Sequence, residues 1–147
     1  MFETLGEEKI NINRKIKVCL DCGNGVGGVI APQAFKLLGL DVIELYSEVD
    51  GNFPNHHPDP SNPKNLKDLQ KKVLETNSDL GIALDGDGDR VGLIDNKGVI
   101  IFPDTYMMLL AEDLLRKKSK GSIVFDVKCS NNLKKVIKNF NGIPIMS

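Results

Sequence analysis

Short apolar runs of strand length alternate along this chain with longer stretches of helical period, and this alternation limits the fold most strongly. Alternating strands and helices are typical of α/β layers, in which parallel strands are joined through crossover helices. We therefore predict an α/β fold with a mixed, mostly parallel sheet. The expected strands are residues 16–21, 41–46, 80–84 and 122–126, and the expected helices are residues 26–38, 66–76, 105–117 and 131–139.

The pattern changes between Leu84 and Phe102. Residues 91–94 and 99–102 are short β-like runs joined by the turn-forming sequence Asp-Asn-Lys-Gly. Such a connection favours a β-hairpin. Residues 143–146 form a further apolar run that we expect to be a strand without a partner, and an unpaired strand favours self-association.

The composition excludes several classes of protein. A chain of 147 residues is near the size of one domain, so we expect one domain, or one and a piece. Its 19 Lys and Arg stand against 20 Asp and Glu and form no long basic block, which argues against nucleic-acid binding. No apolar stretch approaches the ~20 residues that cross a bilayer, so we expect no membrane segment and a cytoplasmic location. In the C-x-x-C of Cys19 and Cys22 the first cysteine lies in the apolar run of residues 18–20 and no second cysteine pair is present, which favours packing over a zinc site.

Three carboxylates at alternate positions, Asp85, Asp87 and Asp89, directly follow the expected strand 80–84 and are separated by glycines. Carboxylate oxygens are the hard ligands that Mg²⁺ prefers, and glycines let the backbone curl so that the side chains converge. Carboxylates this close would repel one another without a cation. The run, which ends at Arg90, predicts a magnesium site that serves phosphoryl transfer.

Other interpretations of this run lead to different functions. The simplest is a polar turn in which the aspartates only cap backbone amides. An EF-hand loop starting at Asp85 would need glycine at its sixth position and glutamate at its twelfth, where this chain has Arg90 and Asn96. A haloacid-dehalogenase-like phosphatase or phosphotransferase with Asp85 as the nucleophile stays open as an alternative.

A second motif, DCGNGVGG, contains a G-x-G-x-x-G at Gly23, Gly25 and Gly28, between an expected strand and an expected helix. In that setting the motif can bind the pyrophosphate of a dinucleotide. Asp21 places a negative charge directly before the glycines, and Glu44 comes earlier than the usual ribose-binding acid. A structural role in a tight turn is favoured, with a non-catalytic nucleotide-binding module as the alternative.

A long polar loop, residues 47–63, holds four of the seven prolines and both histidines, His56 and His57. Loops of this length inside a compact domain are usually functional or disordered. Adjacent histidines in an extended segment point opposite ways, so we expect them to support the loop or to contact a neighbouring domain rather than to catalyse. Lys128 follows the strand 122–126, at the end of the strand where α/β proteins commonly bind ligands.

Taken in order, the segments DCGNGVGG, NFPNHHPDPSNPKNL, LGIALDGDGDRVG, IFPD and DVKCS resemble the α-D-phosphohexomutases, most closely the bacterial phosphomannomutase/phosphoglucomutase branch. The resemblance runs from about residue 16 to the end of the chain. It implies an intramolecular phosphotransferase, an isomerase of carbohydrate metabolism. Such an enzyme interconverts hexose 1-phosphates and 6-phosphates through a phosphoserine and a bisphosphorylated sugar.

The resemblance also implies roles for individual residues. Asp85, Asp87 and Asp89 would bind Mg²⁺ together with a phosphoserine oxygen. Arg90 would be the catalytic arginine beside the phosphoryl group, because a guanidinium fork suits a phosphate. Lys128 would contact the bound phosphosugar.

The same resemblance predicts a fragment of a multidomain enzyme. Residues 1–15 would be a lead-in segment, residues 16–99 domain 2 with the metal loop, and residues 100–147 an incomplete start of domain 3. The chain contains no Ser-His-Asn-Pro phosphoserine loop, no Gly-Glu-x-Ser-Gly-His sugar-reading loop and no C-terminal phosphate-binding domain. Domains 1 and 4 and the rest of domain 3 are therefore expected partners, and the chain alone is expected to be inactive. Mannose, glucose and glucosamine phosphates all stay open as substrates.

Overall fold

The computed structural model describes residues 14–118 and 120–147, and it confirms a mixed α/β architecture. The expected lead-in segment falls almost wholly on residues 1–13, which lie outside the described part. The chain divides into two compact units between Ile100 and Ile101. Each unit contains its own sheet and its own apolar core.

The first unit is built on a five-stranded sheet in the order β2-β1-β3-β4-β5. β1 pairs in parallel with both β2 and β3, whereas β4 pairs antiparallel to β3. The mostly parallel sheet is therefore confirmed. The strands are β1 (Lys17–Asp21), β2 (Asp41–Leu45), β3 (Leu80–Leu84), β4 (Val91–Asp95) and β5 (Ile100–Ile101).

Helices pack on both faces of this sheet because neighbouring residues of a strand point to opposite faces. On one face Val18 and Leu20 pack with partly buried Phe35 of α1 (Ala31–Leu37). On the other face Cys19 packs with Leu69 of α2 (Lys67–Thr76). The thiols Cys19 and Cys22 lie in different core clusters, on opposite faces of the sheet.

The first helix begins later than the sequence pattern predicts. Residues 26–38 were expected to be one helix, but the structure has a 3₁₀ turn at Val26–Val29 and an α-helix only from Ala31. Pro32 explains the difference, because proline has no N–H and its ring clashes with the preceding helical turn. In the first turn of α1 the same residue is well tolerated.

The β-hairpin expected after the acidic run is present, with a shorter second strand. Asp95 Oδ1 accepts hydrogen bonds from the N–H groups of Lys97 (2.9 Å) and Val99 (2.8 Å), and Gly98 adopts φ +77°. A second hairpin was not anticipated. Because β4 runs antiparallel to β3, the acidic run is itself the tip of a hairpin.

Three parallel strands of the first unit end at the same edge of the sheet. Asp21, the last residue of β1, is paired with Leu45 of β2 and with Ala83 of β3. The segments that follow these strands therefore start side by side. They are the glycine-rich turn (residues 21–28), the long polar loop of residues 47–63, called the proline-rich loop below, and the acidic run (residues 85–90).

The second unit contains α3 (Pro103–Lys117), β6 (Ser122–Phe125), α4 (Asn131–Asn139) and β7 (Ile143–Met146). Leu115, Leu133 and Ile137 are buried where α3 and α4 pack together. The expectation of an unpaired last strand is wrong, because β7 pairs in parallel with β6. In the described part of the chain, none of the helices has the length and apolar character needed to span a bilayer.

Leu69→Ala should destabilise the first unit by about 2–5 kcal/mol, because Leu69 is fully buried and its loss leaves a cavity beneath the sheet. Leu74→Ala is the matched control on the same helix. Leu74 is 52% exposed, so its truncation should cost less than about 1 kcal/mol. Urea denaturation followed by circular dichroism measures both. Equal losses of stability would contradict the packing of α2 described above.

Candidate metal centre

The acidic run is a tight loop of residues 85–90 between β3 and β4. The N–H of Asp85 donates to the carbonyl oxygen of Arg90, and the N–H of Gly88 donates to that of Asp85. Gly88 adopts φ +78°, a left-handed conformation in which a side chain would be strained. The loop thus folds back on itself directly after the strand.

This fold brings the three predicted carboxylates together. Asp85, Asp87 and Asp89 each offer an oxygen atom, and these atoms all lie within 4.8 Å of one another. Asp85 is only 1% exposed, whereas Asp87 and Asp89 are open to solvent. The pKa of Asp89 is raised, mainly by the negative charge of Asp87 and next by the hydrogen bond with Asp85. Oxygen donors whose charges repel one another fit a hard divalent cation such as Mg²⁺.

Arg90 fixes the buried carboxylate of this group. Its backbone N–H donates to Asp85 Oδ1 at 2.9 Å, and its Nε donates to Asp85 Oδ2 at 2.7 Å. Burial opposes ionisation of Asp85, but the two hydrogen bonds from Arg90, the contact with Asp89 and the charge of Arg90 together lower the pKa of Asp85 to about 2. Asp85 therefore stays charged, and each oxygen keeps a further lone pair for a cation.

The glycine-rich turn is packed against this loop. The N–H of Val26 donates to the carbonyl oxygen of Gly86 at 3.0 Å, and a Cβ built at Gly25 would lie 2.6 Å from that oxygen. A Cβ at Gly28 would overlap the carbonyl oxygen of Ser47. The space beside these glycines is filled by the protein's own backbone, which supports their structural role and argues against a bound pyrophosphate.

The proline-rich loop contributes contacts that the sequence did not predict. Asp59 Oδ1 lies 3.3 Å from Arg90 Nη1, and the ring of Pro58 lies next to Gly86. His56 Nε2 lies 3.0 Å from Oδ2 of Asp21, a carboxylate with no exposed surface. The two charged pairs, His56 with Asp21 and Asp59 with Arg90, join residues more than thirty positions apart, so no local pattern reveals them.

A groove of about 340 Å³ opens beside the acidic loop within the first unit. Its walls are mostly apolar, and Asp87 and Gly88 of the loop form part of them. The other lining residues are Val26, Gly27, Ile30, Ala31, Ala34, Phe35 and Leu84.

Lys128 belongs to the second unit, whereas residues 85–90 belong to the first. Its side chain is 87% exposed, and its Nζ lies 3.6 Å from Asp126 Oδ2. The N–H of Lys128 also donates to Asp126 Oδ1 at 2.8 Å, which shapes the turn after β6.

A family profile described as phosphoglucomutase/phosphomannomutase, alpha/beta/alpha domain II, matches residues 2–98. The chain belongs to the phosphoglucomutase/phosphomannomutase family. The resemblance drawn from the motifs is therefore confirmed, and the dehalogenase-like and nucleotide-binding alternatives lose their support. Residues 85–90 lie inside the matched domain, whereas Lys128 lies beyond it.

Individual members of this family match most of the chain. A phosphomannomutase/phosphoglucomutase of Pseudomonas aeruginosa is 55% identical over 95% of the chain, and a phosphoglucomutase of Neisseria gonorrhoeae is 46% identical over 93%. The crystal structure of a family member from Burkholderia thailandensis superposes with a TM-score of 0.90 at 45% identity over 94% of the chain. The chain spans about 30% of the length of each of these proteins.

The pairing of His56 with Asp21 should make stability depend on pH. The hydrogen bond to Asp21 raises the pKa of His56 from 6.5 to about 8, against the opposing effect of burial. A raised folded-state pKa stabilises fully below pH 6.5, and this stabilisation is lost as the pH rises through about 8. Stability should therefore fall by on the order of 1 kcal/mol across this range, after allowance for solvent screening.

Urea denaturation at several pH values between about 6 and 9 measures this dependence. His56→Gln should flatten the profile, whereas His57→Gln, which changes the exposed neighbouring histidine, should retain it. If the stability of His56→Gln still fell with rising pH, another titrating group would be responsible for the dependence.

Proposed function

We propose that the chain is the metal-binding portion of a phosphohexomutase that interconverts hexose 1-phosphates and 6-phosphates. The observation that carries this proposal is the loop in which three carboxylates lie within 4.8 Å of one another beside Arg90. The names of the relatives, phosphomannomutase/phosphoglucomutase and phosphoglucomutase, support the substrate class. Phosphoryl transfer through a phosphoserine and a bisphosphorylated sugar is the chemistry we infer.

In this proposal Asp85, Asp87 and Asp89 hold Mg²⁺. The bound cation would neutralise negative charge on the phosphoryl group being transferred. Asp85 is ionised and fixed by Arg90, so it is the preformed ligand. Asp87 and Asp89 are exposed, with Asp89 Oδ1 3.7 Å from Arg90 Nε, and exposed side chains can adjust to the octahedral geometry that magnesium demands.

Arg90 would bind the phosphoryl oxygens. Its side chain is 59% exposed, so its guanidinium can reach a group that enters from solvent. The contact of its Nε with Asp85 fixes one edge of the planar fork, which leaves Nη donors for an anion. Binding and orienting the phosphoryl group, rather than proton transfer, is the catalytic role that suits a guanidinium.

The second unit would form the opening part of domain 3. Lys128 lies there in an exposed turn after a strand, and in this proposal it would contact the phosphate of the sugar. The phosphoserine and the sugar-reading residues would come from other parts of the parent enzyme. A cytoplasmic location fits an enzyme that acts on sugar phosphates.

Asp87→Asn should weaken Mg²⁺ binding by about tenfold or more, because it removes one of three charged oxygen ligands. Asp113→Asn makes the same change of charge at an exposed site on α3 and should leave the affinity unchanged. Isothermal titration calorimetry with MgCl₂ measures both. An unchanged affinity in Asp87→Asn would contradict the proposed ligand set.

The chain alone should not turn over glucose 1-phosphate, even with saturating Mg²⁺. The reason is that its 147 residues contain no Ser-His-Asn-Pro motif to carry the phosphoryl group. A coupled assay with glucose 6-phosphate dehydrogenase measures turnover, and the Pseudomonas aeruginosa relative serves as the positive control. Turnover by the chain above background would overturn the fragment interpretation.

A further inference from the structure

We propose that Asp59, in the proline-rich loop, is a positioning residue that orients the Arg90 guanidinium for its phosphoryl ligand. The inference rests on the proposed function, in which Arg90 binds a phosphoryl group. It assigns a role at the proposed site to a residue outside the acidic run.

The guanidinium of Arg90 is contacted at two different nitrogens. Nε donates to Asp85 Oδ2 at 2.7 Å, and Nη1 donates to Asp59 Oδ1 at 3.3 Å. If Nε alone were contacted, the planar guanidinium could rotate about that end. The second contact restrains this motion and leaves Nη2 as the donor for an anion.

Asp59 is held in place by hydrogen bonds that do not involve Arg90. Its Oδ1 accepts hydrogen bonds from the N–H of Ser61 at 3.1 Å and from Ser61 Oγ at 2.7 Å. Its carbonyl oxygen accepts from Asn65 Nδ2 at 2.9 Å. A carboxylate held by its own turn orients a partner at a lower entropic cost than a mobile one.

The flanking prolines attach this turn to the sheet. Pro58 is buried, and its ring lies next to Gly86 of the metal loop. A Cβ built at Gly92 of β4 would lie 2.8 Å from Pro60, so proline and strand are in close contact. Asp59 is therefore held between two anchored residues and presents its carboxylate to the residue that ends the loop.

The test compares Asp59→Asn with Asp50→Asn. Asparagine keeps an oxygen that can accept from Ser61 but removes the charge that faces Arg90. Asp50 lies in the same loop and accepts from the N–H of Asn52 at 2.9 Å, so its replacement makes the same chemical change in a similar turn. Three quantities are measured on the whole chain: Mg²⁺ affinity by calorimetry, inorganic phosphate affinity of the Mg²⁺-loaded chain by ³¹P NMR, and the order of the Arg90 Nε–H by ¹⁵N relaxation.

Asp59→Asn should weaken phosphate binding by about two- to fivefold, the effect of a partly exposed ion pair. It should also lower the order of the Arg90 Nε–H, while Mg²⁺ affinity stays at the wild-type value. Asp50→Asn should change none of the three. Unchanged phosphate affinity and unchanged Nε–H order would overturn the proposal, and so would a parallel loss of Mg²⁺ affinity, which marks a general disturbance of the loop.

Failure of the proposed function is distinguishable from failure of this inference. If the wild-type chain binds Mg²⁺ but no phosphate, the assigned role of Arg90 is wrong. The order of the Arg90 Nε–H in Asp59→Asn then decides alone whether Asp59 positions the guanidinium.

Discussion

The acidic loop of residues 85–90 depends on a backbone contact with the glycine-rich turn. The two segments follow neighbouring parallel strands and reach the same edge of the sheet, where the N–H of Val26 donates to the carbonyl oxygen of Gly86. The approach is possible because Gly25 has no side chain, since a Cβ there would lie 2.6 Å from that oxygen. Two motifs that are far apart in the sequence therefore form one structural unit, and the glycines serve the acidic loop rather than a nucleotide.

The three carboxylates differ in burial, since one is buried and two are exposed. Asp85 is almost fully buried, ionised and held at both oxygens by Arg90, whereas Asp87 and Asp89 are exposed. A cation site benefits from both kinds of ligand. A fixed carboxylate lowers the entropic cost of binding, and exposed carboxylates can adopt the geometry of the metal. Arg90 links this site to the phosphoryl chemistry we propose, because it fixes Asp85 and is itself open to solvent.

The proline-rich loop shows how a long segment without regular secondary structure is held in place. His56 pairs with buried Asp21 at the end of β1, Asn55 donates to Asn24 in the glycine-rich turn, and Asp59 reaches Arg90. Each contact attaches the loop to another segment at the same sheet edge. Loops of this length are commonly functional. Here the loop supports the residues that we assign to metal and phosphate rather than supplying metal ligands.

The sequence by itself determined the features that depend on neighbouring residues. The α/β alternation, the hairpin after Val91 and the cluster of Asp85 with its neighbouring carboxylates all follow from residues within a few positions of one another, so periodicity and spacing revealed them. The sequence also contains the reason for the late start of α1, because Pro32 is tolerated only in the first turn of a helix. The tertiary structure alone decided the antiparallel direction of β4, the pairing of β7, and the contacts of Asp21 with His56 and of Asp59 with Arg90. Those features join distant segments, and their geometry is set by which strands lie side by side in the sheet, which no local pattern specifies.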